Sequence, residues 1–408
     1  MIKTNKYWRY LENAAFIYAF FLYSWDTIYG FFKYYLIDPF SGIKVDTKGE
    51  PIHNIISDVK EQFQQQTFYD TFITIILLLV SIITIWEISR LVYESIKKDR
   101  DLPFGLKKIK GIFNYIAKTF KATFLASLAG FYIGMLIKFD VFQLVRPVWH
   151  SLSLFTINHA WYSWIYAYLV WELTTWVWHY SFHRVRFFWC FHSPHHAPSD
   201  LTITTAWVHF FAEGFITVFM QWIILSIMGV PYDMVFPIIF GIEVWWGTFI
   251  HLGERSLKKG RLGFLKHILI TPSHHRVHHA KNPLYMDTNF CTFLPFWDWL
   301  FGTLQPLRDE VKIEYGITRE MDVTNFIDFY FGEFILLFRD VKNAKGIKNK
   351  LLLFIKPPGW VPESAEHTAE TVRNNFLKEN PELDNTSKRW LIKKRKTLIP
   401  AEGNVITG

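Results

Sequence analysis

The chain has 408 residues, half of them hydrophobic and 19% aromatic, with a formal net charge of +8. Its apolar residues gather in long runs rather than short alternating stretches, which reads as membrane helices instead of two or three soluble domains. Two cysteines, Cys190 and Cys291, exclude a disulfide framework and suit a reducing compartment. The basic residues lie beside apolar segments, where they serve a membrane surface, and no nucleic-acid motif accompanies them.

The first twelve residues are polar and no small-residue cleavage site follows, so no removable signal peptide is expected. Spanning segments are expected near 13–37, 69–93, 123–145, 152–178, 211–229 and 233–250. The first is interrupted by Asp26, with Lys33 near its end, whereas 152–178 holds Glu172 as its only Asp, Glu, Lys or Arg. The last two, joined through Gly229-Val230-Pro231, are short enough to form a hairpin that only partly penetrates. Residues 38–66 carry three Lys against five acids, and residues 97–121 carry eight Lys or Arg against two acids. Positive flanks stay cytoplasmic, so the N-terminus and the basic loop are placed inside. Within that loop Leu106, Ile109, Phe113, Ile116 and Phe120 recur at spacings of three and four among lysines, as in an interfacial helix or, equally, a solvated connector. From about residue 341 the chain turns polar, with Lys356-Pro-Pro-Gly-Trp360 and a basic run over 393–396, and is expected to lie as a cytoplasmic tail on the surface.

Twelve of the sixteen histidines fall between Trp178 and Ala280. Ten of them form the blocks His179/His183, His192/His195/His196 and His274/His275/His278/His279, with a lone His251 between the last two. Offsets of three and four share a helix face, so these imidazoles can converge on an ion. Neutral imidazole suits iron, zinc and copper. Eight or nine candidate ligands without a nearby Cys pair fit two metals better than one tetrahedral zinc. Counting segments onward from the basic loop places all four histidine groups on the cytoplasmic side.

Glu172, Trp176, His179 and His183 lie on one stripe, so Glu172 is expected either to orient a ligand histidine or to make an inter-helix hydrogen bond. Ser193-Pro194 and Thr271-Pro272 read as cap and first turn, which puts both later blocks at helix starts, with His275, His278 and His279 facing one way. His274 is read as a supporting residue able to pair with His278. His53, His150, His159, His209, His267 and His367 are set aside, the first three and the last as isolated, His209 and His267 for want of partners at helical spacing.

Three blocks in this order, followed by Asn282-Pro-x-Tyr285-x-Asp287-x-Asn289-Phe290 and Trp297-Asp298-x-Leu300-Phe301-Gly302-Thr303, resemble the fatty acid hydroxylase and sterol desaturase superfamily of membrane di-iron enzymes. The likeness runs from about Ala160 to Pro306 and is nearest the bacterial sterol-desaturase-like branch that includes the alkylglycerol monooxygenases. It implies iron ligation by His179, His183, His192, His195, His196, His251, His275, His278 and His279. It further implies two irons, with zinc able to replace them in purified protein, O2, and an external electron-donor protein or reductant. The substrate would be a lipid reaching the site from the bilayer, and no nucleic acid is involved. The expected fold is all-α, a multi-pass transmembrane helical bundle whose cytoplasmic-face helical cap carries the metal site, in a bacterial inner membrane. The expected divisions are residues 1–150 for membrane helices and basic loop, 151–310 for the catalytic domain and 311–408 for the polar extension. Two positions depart from the family pattern: Tyr180 and Arg184 stand where relatives often carry Arg and an acid, and Asp200–Val208 lacks the usual Asn and Arg. A histidine-rich metal transporter or storage protein, and a zinc-bound structural or hydrolytic protein, are the rival classes. Histidines gathered at one surface disfavour transport, which places ionisable groups mid-membrane.

Overall fold

The computed structural model describes residues 141–383, apart from 143, 255 and 323–324. The expected spans near 13–37 and 69–93, most of 123–145, the interfacial helix and the basic run over 393–396 lie outside the described residues. Those described fall within one compact unit of the chain. Among them regular structure is helical and no strand is present, only two isolated bridges, Ala280 with Tyr315 and Val361 with Ser364.

The fourth apolar segment becomes helical later than its hydropathy suggests. Helix α1 is Trp161–Arg184, and residues 152–160 are irregular. The Asn158 side chain accepts from Ala160 N and Ser163 Oγ and so fixes where the helix starts. With neither Gly nor Pro inside, α1 runs unbroken until Val185, whose extended φ of −117° ends it. Helix α2, Arg186–His196, begins at once. The Ser193-Pro194 pair is therefore in its last turn, not at a helix start, a correction to the sequence reading. Phe187 and Cys190 explain the difference: they pack with Leu337 and Leu353 and hold the chain helical before Pro194 is reached. Pro194 has no backbone N–H, so the helix gives up one internal hydrogen bond there.

Helix α3, Glu213–Ile227, turns at Gly229 into α4, Tyr232–Ile238, which passes through a π turn at Ile239–Glu243 into α5, Val244–Ile250. Gly229 has φ +66°, and a Cβ there would lie 2.2 Å from the Phe155 carbonyl oxygen, so the turn requires glycine. At 1.5 Å per residue α3 spans about 22 Å, short of the roughly 30 Å of a bilayer core. Among the described residues no helix is long and apolar enough to cross a membrane. Ala167, Val170 and Trp171 of α1, Val218 and Leu225 of α3, and Met234, Val235 and Ile238 of α4 form one apolar core. The other end of α1 carries the histidines.

Helix α6, Pro272–His278, starts as the sequence predicts, with Thr271 as cap, Pro272 in the first turn and His274 completing a capping box. Helix α7 is Phe296–Phe301. Beyond it the chain is not merely a polar tail. Helices α8, Phe326–Asn343, and α9, Ile347–Ile355, cover α2 through Leu337 and Leu353. Helix α10, Ala369–Glu379, packs Phe376 and Leu377 against Val277, Leu284 and Tyr285.

Candidate metal centre

All nine histidines named by the resemblance are buried and converge, although they come from four separate stretches of chain. His179, His183, His192, His196 and His278 form one group; His195, His251, His275 and His279 form a second. Within each group a ring nitrogen from every member lies within 4.8 Å of the others. The third block does not face one way as a unit: His275 and His279 serve the second group and His278 the first. The second block divides likewise, His192 and His196 from His195. The groups abut where the His196 and His279 rings stack at 4.4 Å.

Backbone carbonyls fix most of these rings. Carbonyl oxygens only accept, so Nδ1 carries the proton in His179 (to Phe290 O, 2.9 Å), His195 (to Val208 O, 3.2 Å), His251 (to Gly247 O, 2.5 Å) and His278 (to Thr288 O, 2.9 Å). His192 Nδ1 donates to the Glu213 carboxylate at 2.9 Å. In each of these five rings Nε2 is left with a bare lone pair. Yet His179 Nε2 lies 3.1 Å from His192 Nε2, and His195 Nε2 lies 3.3 Å from His251 Nε2. No hydrogen bond can join two lone pairs, and a proton is not available to separate them. Burial drives His179 and His195 far below the ordinary histidine range and holds His192 down to about 4 and His251 down to about 3. A shared cation resolves the conflict. Two nitrogens about 2.1 Å from one metal and roughly at right angles to each other would stand about 3.0 Å apart. Buried His183 Nε2, His196 Nε2 and His278 Nε2 also have no protein partner. The residues therefore fit two metal ions held by neutral nitrogen.

Several supporting residues carry no signal in histidine spacing. Glu213 receives His192 Nδ1 on Oε1 and His209 Nδ1 on Oε2, at 2.9 and 3.0 Å. His209 also stacks on His195 with ring centroids 4.3 Å apart. Setting His209 aside is thus corrected: its helical-spacing partner is an acid four residues on rather than another histidine. The rule applied to Glu172, that a carboxylate in an apolar run has a partner, would have found Glu213 at the head of segment 211–229. Glu172 itself touches no histidine. It accepts from Tyr168 Oη and Phe293 N, the inter-element bond of the two readings. His274 bonds its own cap, Thr271, through Nδ1.

The downstream motif is scaffolding for this arrangement. Asp298 is fully buried and accepts from Phe290 N, Cys291 N and Thr303 Oγ1 at 2.8, 2.9 and 2.6 Å. That aims the Phe290 carbonyl at His179. Gly302, with φ +72°, closes α7 so that Thr303 can reach Asp298. Asp287 and Asn289 take positive φ, which short polar side chains tolerate. The Asn289 amide then bridges His274 O and Gln305 O. Arg184, the departure from the family pattern, pairs with Asp287 at 3.1 Å and with Glu370 of α10. Asp287 also lies 3.4 Å from His183 Nδ1, so Arg184 steadies an acid facing a metal-group ring.

A cavity of about 500 Å³ opens onto His183, His196, His278 and His279. Its outer wall includes Arg319, Glu333, Leu336, Pro357 and Val372, all beyond residue 310.

These rings predict an acid response. In the unfolded chain histidine takes up a proton near pH 6.5. His192 and His251 in the fold do so only near 4 and 3. The metal-stripped protein should therefore lose stability as pH falls from about 6.5 toward 4, by about 1.4 kcal/mol per pH unit for each such ring. Denaturant midpoints of the chelator-treated protein should be lower at pH 5 than at pH 7.5. Equal midpoints would show that the rings are not held neutral.

Residues 164–303 match the fatty acid hydroxylase family, which supports the likeness of this stretch to the fatty acid hydroxylase and sterol desaturase superfamily. Its relatives include the alkylglycerol monooxygenases of Xenopus tropicalis and Homo sapiens. The first is 28% identical over 217 residues, covering 53% of this chain and 46% of the relative; the second is 27% identical with the same coverage. A very-long-chain aldehyde decarbonylase of Oryza sativa subsp. japonica is 28% identical over 148 residues, 33% of this chain and 22% of the relative. The chain spans about half the length of the monooxygenases it matches. No solved structure matches significantly.

Proposed function

We propose that the chain is an O2-dependent di-iron oxygenase that hydroxylates a lipid C–H bond, including one beside an ether oxygen, where hydroxylation leads to cleavage. The observation that carries the metal half is the pair of facing Nε2 lone pairs, 3.1 and 3.3 Å apart, on rings whose burial favours the neutral form. Its reaction half is supported by the family match and by relatives named as monooxygenases. His179, His183, His192, His196 and His278 would hold one iron, and His195, His251, His275 and His279 the other. Reduced irons supply O2 activation, which acid–base side chains lack. One oxygen atom enters the C–H bond and the other leaves as water, with two electrons and two protons from an external donor.

The chain's own contribution is geometric. Carbonyls of Phe290, Val208, Gly247 and Thr288 lock four rings in one tautomer, and Glu213 locks a fifth. Burial keeps bulk water from the ligand nitrogens. The cavity beside His183 and His278 is large enough for part of a lipid; Trp189, Met286, Ile317, Leu336 and Val372 in its wall suit an apolar chain, and Arg186, Lys281, Arg319 and Glu333 a polar end. A multi-pass membrane setting with the site at the cytoplasmic face is our reading of the sequence alone, from its apolar segments and from the Lys and Arg residues beside them.

The test is comparison of lipid extracts from cells with and without the gene, alongside iron analysis and Mössbauer spectroscopy of protein purified without air. Two irons per chain and an oxygenated lipid lost with the gene are expected. An unchanged lipid profile would count against an enzyme, and metal uptake into proteoliposomes without O2 consumption would transfer the chain to the transporter class. Glu213→Ala, which strips His192 and His209 of their acceptor, should weaken iron binding by about 10–100-fold in chelator competition. Unaltered affinity would remove Glu213 from the centre.

A further inference from the structure

We propose that the hairpin of α8 and α9 docks on an anionic lipid surface. Its inner side is anchored, with Leu337 and Leu353 buried against Cys190 of α2. Its outer side is apolar and uncovered among the described residues. Ile347, Leu351 and Ile355 fall at steps of four along α9 and are 73%, 58% and 60% exposed, and Phe338 and Ile335 extend the patch onto α8. Isolated exposed apolar residues are ordinary on any surface, but a contiguous stripe on a helix that is anchored behind is not.

Charge identifies the occupant. Residues 339–356 carry six basic side chains, Arg339, Lys342, Lys345, Lys348, Lys350 and Lys356, against Asp340 alone. Asp340 is engaged by Arg186 at 2.5 Å. At 100° per residue Lys348 and Lys350 flank the Ile347–Leu351–Ile355 stripe on either side. An apolar stripe rimmed by lysine is the pattern of a helix lying in the headgroup region of an anionic leaflet. A second copy of the chain would set one basic rim against another, and the chain's own basic run over 393–396 has the same sign. Neither complements the patch as an anionic lipid does.

The same hairpin borders the cavity: Glu333 and Leu336 of α8, and Pro357, Pro358 and Gly359 just past α9, line it. Docking would thus bring the mouth of the cavity to the lipid. That consequence rests on reading the cavity as the substrate chamber, whereas the docking itself does not.

The test is depth measurement on the purified full chain in lipid nanodiscs. Cys190 and Cys291 are both buried, so a cysteine placed at an exposed position takes a spin label selectively. Labels at Leu351→Cys and, on exposed α10, at Lys378→Cys are compared in phosphatidylcholine alone and in its mixture with phosphatidylglycerol. With the anionic lipid, the label at 351 should become severalfold more accessible to O2 than to a water-soluble nickel chelate, and the label at 378 should not. Adding Lys345→Glu and Lys348→Glu should return the label at 351 to water, with circular dichroism confirming the helices. Equal nickel access at 351 in both lipids overturns the proposal. Lipid-independent spin–spin broadening at 351 overturns it in favour of a second copy. Because the readout is depth and not turnover, its failure is distinct from failure of the oxygenase reading.

Discussion

Replacing His195 or His278 by alanine is expected to bring lipid oxygenation to the background rate. The two sit in different groups, so each change should also release the ion of its own group first. Partners that only orient a ligand typically cost 10–100-fold when removed, and loss of a ligand nitrogen should exceed that range. The fold should survive, because the large apolar cores among Trp171, Val218 and Met234, and around Leu337 and Leu353, do not include either ring. Iron content, turnover and thermal unfolding of both variants, with exposed His267→Ala as the unchanged control, check this. Full activity with full iron in either variant would break the ligand assignment.

The second large effect is on stability. Asp298→Ala removes a fully buried carboxylate with three donors, Phe290 N, Cys291 N and Thr303 Oγ1. Hydrogen bonds to charged groups contribute about 1.5–3 kcal/mol each, and stranded buried donors add a desolvation cost. Bonds in one network are not additive, so a loss of about 3–5 kcal/mol is expected. Iron loss should accompany it, since Phe290 would no longer present its carbonyl to His179. Asp298→Asn keeps an acceptor oxygen and should lie between alanine and the native residue. Denaturant unfolding at fixed pH separates the three.

The histidines were legible in the sequence because a metal site would impose residue type as well as spacing, and the three blocks and His251 do converge. The division into two groups was not legible. Residues three and four apart share a face broadly, but a helix face is wide enough to serve two ions, and only the angle between helices decides which ring goes where. The Ser193-Pro194 pair misled for another reason. Its local preference for a helix start is outweighed by the burial of Phe187 and Cys190 upstream. Glu213 and His209 are four residues apart and bond each other, so that pairing was legible; what was not is that Glu213 also takes His192 and that His209 stacks on His195. Residues past 310 read as a polar tail because the basic residues beyond 341 drew attention from the apolar run 326–338, whose Phe329 and Tyr330 pack on Val208 and Phe210 while Leu337 packs on Cys190.

The seven-residue helix Pro272–His278, with His279 at its end, and the final turn of α2 each supply rings to both groups. Each is therefore a rung of backbone shared by both groups. A tilt of either rung moves nitrogens in both groups together, so the spacing between the groups is set by backbone rather than by rotatable side chains. If each group takes an ion as proposed, seating one would order the rungs for the other, and titration of the stripped protein should show cooperative uptake.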